Sequence, residues 1–497
     1  MLMELLYAHA DARPADTALV YRDQRLSFAE LTERIERLAQ GLASRGIGPG
    51  DPVALLLGND PTFITSYLAI TGLGAIAVPL NPGFKQQELE FHFRSCGIRG
   101  VISDERSTGV CERIVGGWDE PVEVIATSAA HGQTLTLDML IEQSEPARLA
   151  PRAPEEVLVY QFSSGSTGRP KRVARTHLQC WSEAQSYDAM GITSEDRIFC
   201  AIPLFHTYGM GCCMFAAVRT GAPLVILEEP NPFLLRRQRA LELLESERVT
   251  IFPGVPFNFR LLAEAPNGGD LSGLRLCFSA GTALPRSSFD AFAQKFGVPV
   301  RQLYGCTEAG TLTANVDTDP VATFESVGTP VGDVQVQILD DDGVGVDAGE
   351  VGEVAVSSPA LTSGYSDMEE LNKVAFKDGY FRTADLGRLD EEGRLYITGR
   401  KKLLIEVGGY KVDPIEVEDV VIAHPKIREA VVVGVAGEIP GEEVVKAVVV
   451  LSEDCEEREL LDFCQDRLAN FKVPRMVEFR DEIPRSPLGK VLRKYLV

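Results

Sequence analysis

Residues 161–173 read Q-F-S-S-G-S-T-G-R-P-K-R-V. Six consecutive positions in it, Ser163, Ser164, Gly165, Ser166, Thr167 and Gly168, carry a small hydroxyl side chain or none. Glycine lets a backbone approach a ligand closely, and successive N–H groups and hydroxyls in such a turn form a concave anion site. Pro170 stiffens the exit, and Lys171 and Arg172 add positive charge. The chemistry this suits is the holding of phosphates. The spacing is not that of a Walker A loop, which needs Gly at 170 and Ser or Thr at 172, where this chain has Pro and Arg. Taken alone, the stretch also reads as an ordinary surface turn.

Four later groups bear on it. Tyr304-Gly305-Cys306-Thr307-Glu308 follows an apolar run. There Thr307 offers a donor to phosphate and Glu308 a hard oxygen ligand for a divalent cation. The same pair alone reads as a helix cap with a first-turn acid. Tyr380 to Gly387 contains Asp385, which in a turn accepts both hydroxyls of a ribose or simply serves the turn. Gly399-Arg400-Lys401-Lys402, then Glu406-Val407-Gly408-Gly409-Tyr410-Lys411, place basic residues at a domain joint, or form a solvated basic linker. Finally, Ile483 to Lys490 is a Pro- and Gly-shaped loop that holds Lys490 close to the C-terminus.

Positioning these groups takes a particular architecture. Apolar residues over Phe28 to Arg45 recur with helical period, and Gly46 and Gly48-Pro49-Gly50 stop them. A strand at Val53 to Leu57, a helix from about Asp60 to Leu73, a strand at Ile76 to Pro79, a helix from Gln86 to Ser95 and a strand from Gly100 follow in alternation. That rhythm means parallel βαβ units with helices on both faces. It resumes after the loop, through strands near Ile198, Leu224, Ile251, Leu276 and Val300 with helices Phe233 to Ser246 and Ser287 to Phe296 between them. Ligands in such sheets sit at the carboxyl ends of the strands. From Val327 the pattern alternates in period two between Asp and Gly turns, which is antiparallel β structure. Past Arg400 lies a small α+β unit with helices at Pro414 to Ala423 and Glu457 to Ala469. The expected fold is therefore multi-domain α/β, with a large N-terminal domain over 1–399 and a C-terminal domain over 400–497.

Bulk properties exclude some classes. The chain has 497 residues, 45% hydrophobic and 24% charged, with a formal net charge of −23. A polyanion is repelled from nucleic acid and anionic membrane at long range. The ten Cys form no C-x-x-C pair and no zinc-spaced cluster, so a reducing, cytoplasmic setting is expected. The N-terminus has no basic region of a signal peptide. The longest apolar run, Gly209 to Val218, is too short for a bilayer, which takes about 20 residues.

The sites together, in this order and at these separations, resemble the adenylate-forming superfamily of acyl- and aryl-CoA synthetases, peptide-synthetase adenylation domains and luciferases, from the N-terminal helix to Lys490. That resemblance implies ATP, Mg2+ and CoA (or a carrier-protein phosphopantetheine), and a small-molecule carboxylic acid activated to an acyl-adenylate. Ser163 to Lys171 would hold the β- and γ-phosphates. Thr307 would touch the α-phosphate and Glu308 would carry Mg2+. Tyr304, Gly305 and Ser279-Ala280-Gly281 would line the adenine and carboxylate region, and Asp385 and Arg400 the ribose. Lys490 would bridge the α-phosphate and the acid in the first step. Lys402 would be the hinge on which the C-terminal domain turns, bringing Gly408 and Gly409 over the site for thiol transfer. Two departures stand out: Arg172 where the family usually has Gly, and Glu406 where relatives often carry Ser or Lys.

For the acid, the resemblance points to Leu204-Phe205-His206-Thr207-Tyr208-Gly209, with His206 as a gate beside the carboxylate; a packed or capping His is the other reading. No Asp stands here to receive an α-amino group, which argues against an amino acid. Gly281, Gly305 and Gly310, with Gly209 and Gly211, are small and would leave room for a chain or ring. The expectation is a fatty or aryl acid–CoA ligase, acting as monomer or homodimer without nucleic acid or a transmembrane segment. The alternatives are an acyl–carrier-protein ligase and an inactive nucleotide-binding paralogue.

Overall fold

The structure is a computed structural model; it describes residues 1–128, 135–163, 170–228, 233–400, 404–437, 442–484 and 493–497, apart from the side chains of Arg400 and Lys494. Its contacts divide it into two units. The larger comprises 1–82, 93–161 and 172–399, and the smaller comprises 83–92, 162–171 and 400–497.

The alternating rhythm of the first half produces two mainly parallel sheets. In one, strands run in the order Glu123–Ala126, Gly100–Ser103, Pro52–Leu56, Ile76–Pro79, Val157–Ser163 and Lys171–Thr176. The last two flank the Ser/Gly/Thr stretch. The other sheet has Val300–Cys306, Leu276–Ser279, Ile251–Gly254, Ile198–Cys200, Leu224–Ile226 and Thr17–Tyr21 as its parallel middle. Both of its edges turn antiparallel, through Gln24–Ser27 on one side and Gly310–Ala314 on the other. Those edge strands are a departure from the all-parallel expectation for this half.

Local signals set the helices. Phe28–Ser44 starts at a reciprocal cap, in which the Ser27 hydroxyl accepts from the Glu30 N–H and Glu30 reaches back to Ser27. Pro61–Leu73 has Asp60 as its cap, Pro61 in the first turn and Gly74 at φ +87° after its end. His177–Ala189 is capped by Thr176 and Gln179 in the same reciprocal way. Burial of Leu31, Ile35, Leu38 and Leu42 with Phe63, Tyr67 and Leu68 packs the first two of these helices into one core.

The period-two region forms an antiparallel sheet of Gln335–Leu339, Gly352–Ser357, Tyr380–Leu389 and Phe376–Lys377, with Leu395–Arg400 also paired to Tyr380–Leu389. In the smaller unit, Ile427–Ala436 pairs antiparallel with Glu443–Leu451, which pairs parallel with Met476–Phe479. Helices Pro414–Ile422 and Glu457–Gln465 cover it, burying Val417, Val421 and Leu460. Within this unit Lys472 is buried between Glu88 at 3.0 Å and Glu416 at 2.7 Å.

Among the described residues no helix is long and apolar enough to cross a membrane. Cys212 and Cys213 are buried and unpaired by disulfide, as packing residues.

Gly328 ties the two β regions of the larger unit together. It bridges Leu395, has φ +90°, and a Cβ there would overlap the backbone of Ala314. Gly328→Ala is expected to lose about 3 kcal/mol from strain and overlap, read as a lower urea midpoint at unchanged slope. An unchanged midpoint would contradict this packing.

Candidate active site

Strand Val300–Cys306 runs through Tyr304 and Gly305 and turns back at once as Gly310–Ala314, with Cys306 paired to Gly310. Thr307 and Glu308 therefore occupy a tight hairpin turn and not a helix start. Gly310 takes φ +73°, which a β-branched residue would resist. Glu308 is 5% exposed. One of its carboxylate oxygens accepts from the Tyr365 hydroxyl at 2.7 Å, and its carbonyl accepts from the Thr362 N–H at 2.8 Å. Thr362 in turn donates its hydroxyl to the Ala174 carbonyl at 2.6 Å, Gln179 donates to the Leu361 carbonyl at 2.7 Å, and Tyr365 bridges Val173. Segment 361–365 thus hangs from the strand that leaves the Ser/Gly/Thr stretch and carries Glu308 at its other side.

Asp385 lies in strand Tyr380–Leu389 at a bulge. Pairing with Gly352–Ser357 jumps from Glu353↔Leu386 to Ala355↔Arg382, and Ala384 takes φ +62°. A non-Gly residue in that region is a sign of a constrained site. The Thr383 hydroxyl closes the bulge, donating to the Val354 carbonyl at 2.8 Å and accepting from the Asp385 N–H at 3.1 Å. So held, Asp385 accepts from the Tyr304 hydroxyl at 2.6 Å. Burial, then the Asp385 charge, raises the Tyr304 phenol well above its ordinary value, so it remains a donor. Two residues 81 apart in sequence meet directly.

On the adjoining strand end, the Ala280 N–H donates to the Gly254 carbonyl at 3.2 Å and Gly281 takes φ +91°. A Cβ at Gly281 would meet only Val255, at 3.9 Å, so this glycine opens space. The neighbouring Ser279 hydroxyl is buried with no hydrogen-bond partner among the described residues. Orphaned hydroxyls of this kind are rare without a ligand or water. At the other glycines the small size is taken up by packing. Gly209 lies on the Pro203 and Ile202 carbonyls, Gly305 on Gly310, and Gly211 and Gly310 on Glu183.

His206 is exposed, and its Nδ1 accepts the Tyr208 N–H at 3.2 Å, so it caps the turn Thr207–Gly209. In the neutral ring the proton then sits on Nε2. The Tyr208 hydroxyl lies 3.1 Å from both the Gly254 and Phe278 carbonyls, which leaves its ring as the feature it presents. Residues 210–215 continue as a π-helix, a rare form that is frequent at functional sites. Buried Asn59 holds the approach, bonding the Ile202 carbonyl and the Leu204 N–H at 2.8 Å each.

Arg172 is only partly exposed and is engaged by protein groups. It donates to the Ser95 carbonyl, pairs with Asp367 at 2.9 Å and stacks 5.0 Å over the Tyr160 ring. It therefore links the strand after the loop to the strand before it. In the smaller unit, Gly408 and Gly409, at φ +57° and +88°, make the two-residue turn of a hairpin, Ile405–Val407 with Tyr410–Val412. The N–H of Glu406 donates to Glu443 at 2.8 Å. Ser164, Gly165, Ser166, Thr167, Gly168, Lys402, Lys490 and the Arg400 side chain lie outside the described residues. Ser163 ends one flanking strand, and buried Lys171 starts the other.

His424, Cys455 and Glu459 form a group with metal-ligand chemistry, their atoms within 4.8 Å of one another. Lys426 pairs with Glu459 at 2.8 Å, however, and its N–H donates to His424 Nδ1 at 3.3 Å. That leaves Nε2 protonated and directed to Glu459 at 3.8 Å. Two of the three candidate ligands, His424 and Glu459, are thus already engaged by Lys426. Sequence reasoning missed Tyr365, Thr362, Asn59, Arg175 and Glu183. Of these, only Tyr365, in a Gly-Tyr turn, carries a local signal.

Two substitutions test the geometry. With Glu308 as the Mg2+ residue that the resemblance implies, Tyr365→Phe should raise the Mg2+ requirement about tenfold, as loss of a supporting bond does elsewhere. Unaltered Mg2+ dependence would contradict it. Arg172→Gly should raise the KM for ATP about threefold to tenfold, the scale of one partly buried cation–π contact, and leave the KM for the acid alone. An unchanged KM for ATP would deny Arg172 a part in holding the loop.

Comparison with known proteins gives the family. Residues 6–366 match the AMP-binding enzyme family, and residues 416–490 the AMP-binding enzyme C-terminal domain. The chain is 32% identical over 482 residues to long-chain-fatty-acid–CoA ligase FadD13 of Mycobacterium tuberculosis, covering 95% of this chain and 93% of that one. It is 31% identical over 499 residues to indoleacetate–CoA ligase of Aromatoleum aromaticum, covering 99% and 96%. Among solved structures it is similar to o-succinylbenzoate CoA synthetase of Bacillus subtilis bound with a product analogue. The TM-score is 0.87 at 29% identity, covering 99% of this chain and 98% of that one. The chain belongs to the AMP-binding enzyme family of the adenylate-forming superfamily, and is an AMP-forming acyl-CoA synthetase.

Proposed function

We propose that the chain activates a fatty or aromatic carboxylic acid and passes it to the thiol of CoA. The observation that carries this reading is the Tyr304–Asp385 hydrogen bond beside the buried Glu308 turn, at the carboxyl end of strand Val300–Cys306. It ties a ribose acceptor, through Tyr304, to the strand whose hairpin turn carries a cation acceptor. The relatives bear names for long-chain fatty acid, indoleacetate and o-succinylbenzoate ligation, which supports an apolar chain or ring. The absence of an Asp between Leu204 and Gly211 speaks against an amino acid.

In the first step a carboxylate oxygen attacks the α-phosphorus, the bond to the bridging oxygen breaks, and pyrophosphate leaves with the electron pair. In the second the thiol sulfur attacks the acyl carbon, loses its proton, and AMP leaves. No covalent protein nucleophile is needed, so the protein's task is to bring anions together and stabilise developing charge. Ser163 to Gly168 and Lys171 hold the leaving pyrophosphate, and Thr307 donates to the α-phosphate. Asp385 and Arg400 hold the ribose, while the Ser279 hydroxyl and the space at Gly281 receive the nucleotide or acid. Tyr365 occupies one oxygen of Glu308, and that carboxylate fits a hard cation; Mg2+ would neutralise phosphate charge there. The unit from Arg400 onward is the mobile C-terminal domain. It carries Lys490 for the first step and the Gly408–Gly409 turn for the second, and pivots at Lys402.

Pyrophosphate release measured across fatty, aryl and amino acids, with and without CoA, tests the reading. Release with one of the first two classes, and thioester only with CoA, is expected. No acid-dependent release from any of them would overturn it, and thioester formed on a carrier protein alone would favour that acceptor instead. Lys490→Ala should slow adenylation by about a hundredfold or more and leave thiol transfer from supplied acyl-adenylate intact.

A further inference from the structure

Arg175 is the largest fully buried side chain in the structure, at 1% exposure. Its Nη1 donates to Glu183 at 2.6 Å, and Glu183 is also 1% exposed. A buried pair of this kind is a poor source of stability, because apolar replacements of similar volume are often as stable or more so. Here the Arg175 Nε–H also has no partner among the described residues, a further cost. Some other role is needed to account for it.

The surroundings point to one. Glu183 Oε1 accepts from the Tyr187 hydroxyl at 3.1 Å, and the same hydroxyl lies 3.2 Å from the Thr311 hydroxyl. Thr311 lies 3.7 Å from Cys212 Sγ. A carboxylate can only accept, so Tyr187 donates to it. Thr311 must then donate to Tyr187, and the Cys212 thiol to Thr311. The direction of the whole chain is set by the charge on Glu183. Its members lie on helix His177–Ala189, on the return strand of the Thr307–Glu308 hairpin and on the π-helix 210–215. Gly310, the first residue of the return strand, rests directly on the Glu183 carboxyl, as does Gly211 of the π-helix. Glu308 is already held on its other side by segment 361–365, which hangs from Val173, Ala174 and Gln179. Arg175 lies between those anchors, and its Nη2 also donates to the Gln179 carbonyl at 3.3 Å.

We propose that Arg175 and Glu183 are positioning residues for adenylation: together they fix the Thr307–Glu308 turn and the 210–215 segment on one strand–helix unit, the one that leaves the phosphate loop. The inference rests on the adenylation reading above. Neither residue touches substrate; both act through Gly310, Thr311 and Cys212.

The double variant Arg175→Met with Glu183→Leu removes both charges together, so no unpaired ion remains. Its melting temperature should stay within a few degrees of wild type. Acid-dependent pyrophosphate exchange should lose about tenfold to a hundredfold in kcat, as small misplacements of reacting groups do. Thiol transfer from supplied acyl-adenylate, which does not need the Mg2+–pyrophosphate geometry, should hold. Wild-type kcat in a folded double variant overturns the proposal, as does equal loss in both half-reactions. Should that variant fail to fold, Tyr187→Phe and Thr311→Val decide. Each cuts the chain and leaves the ion pair, and each should lower exchange kcat severalfold with transfer intact; no change in either overturns the proposal. Absence of exchange in the wild-type enzyme would instead be a failure of the adenylation reading itself.

Discussion

The hydrogen bond from Tyr365 to Glu308 depends on backbone contacts that begin at Val173 and Ala174. Those residues belong to the strand that leaves the Ser/Gly/Thr stretch. A buried carboxylate without compensation costs several kcal/mol, so Glu308 stays at its depth only while segment 361–365 supplies the Tyr365 bond. That segment has no regular hydrogen bonding of its own and takes its place from the strand and the following helix. The position of the Glu308 carboxylate relative to Val173 and Ala174 is thus set through about two residues of the strand, not through the full width of a sheet.

The same economy appears at Asp385. Within an ordinary ladder its side chain would alternate with its neighbours and could not be aimed independently. The bulge at 383–385, closed by the Thr383 hydroxyl, frees one carboxylate from that alternation and brings it to Tyr304. Because Tyr304 and Glu308 share one strand and its turn, the two acceptors proposed for the nucleotide, Asp385 and Glu308, are referenced to the same backbone. Reactions between two anions gain most from such preorganisation, since bringing like charges together is unfavourable in water.

Most of the scaffold was legible in the sequence. Helical periodicity over Phe28 to Arg45, stopped by Gly46, marked Phe28–Ser44, the strand–helix alternation placed a helix from about Asp60 to Leu73 where Pro61–Leu73 lies, and both ends of Phe233–Ser246 fell as expected. Strand Gly310–Ala314 did not, because a T-E pair followed by small residues fits a helix start equally well and only pairing with Cys306 and Tyr304 decides it. The bulge before Asp385 was invisible because Ala384 is an ordinary alanine forced to φ +62° by its surroundings. Arg175 and Glu183 each read as surface charges in a sequence, since such residues are seldom buried. Their meeting requires the strand to feed the helix at one angle, which is a tertiary fact. The π-helix at 210–215 likewise follows from crowding around Gly209 and Gly211, not from composition. The site motifs themselves were legible as residue types, and the structure supplies the hydrogen bonds by which Tyr304 meets Asp385 and Tyr365 meets Glu308.

Direct attack of the acid on the α-phosphorus leaves an isotopic mark. When the carboxylate carries oxygen-18 and the enzyme turns over with ATP and CoA, one labelled oxygen should appear in AMP, because the carboxylate oxygen that forms the bond to phosphorus departs with AMP upon thiol attack. Mass spectrometry of the AMP reads this without reference to rate. AMP carrying one label is the predicted result; unlabelled AMP, or ADP with labelled phosphate, would contradict activation through an acyl-adenylate.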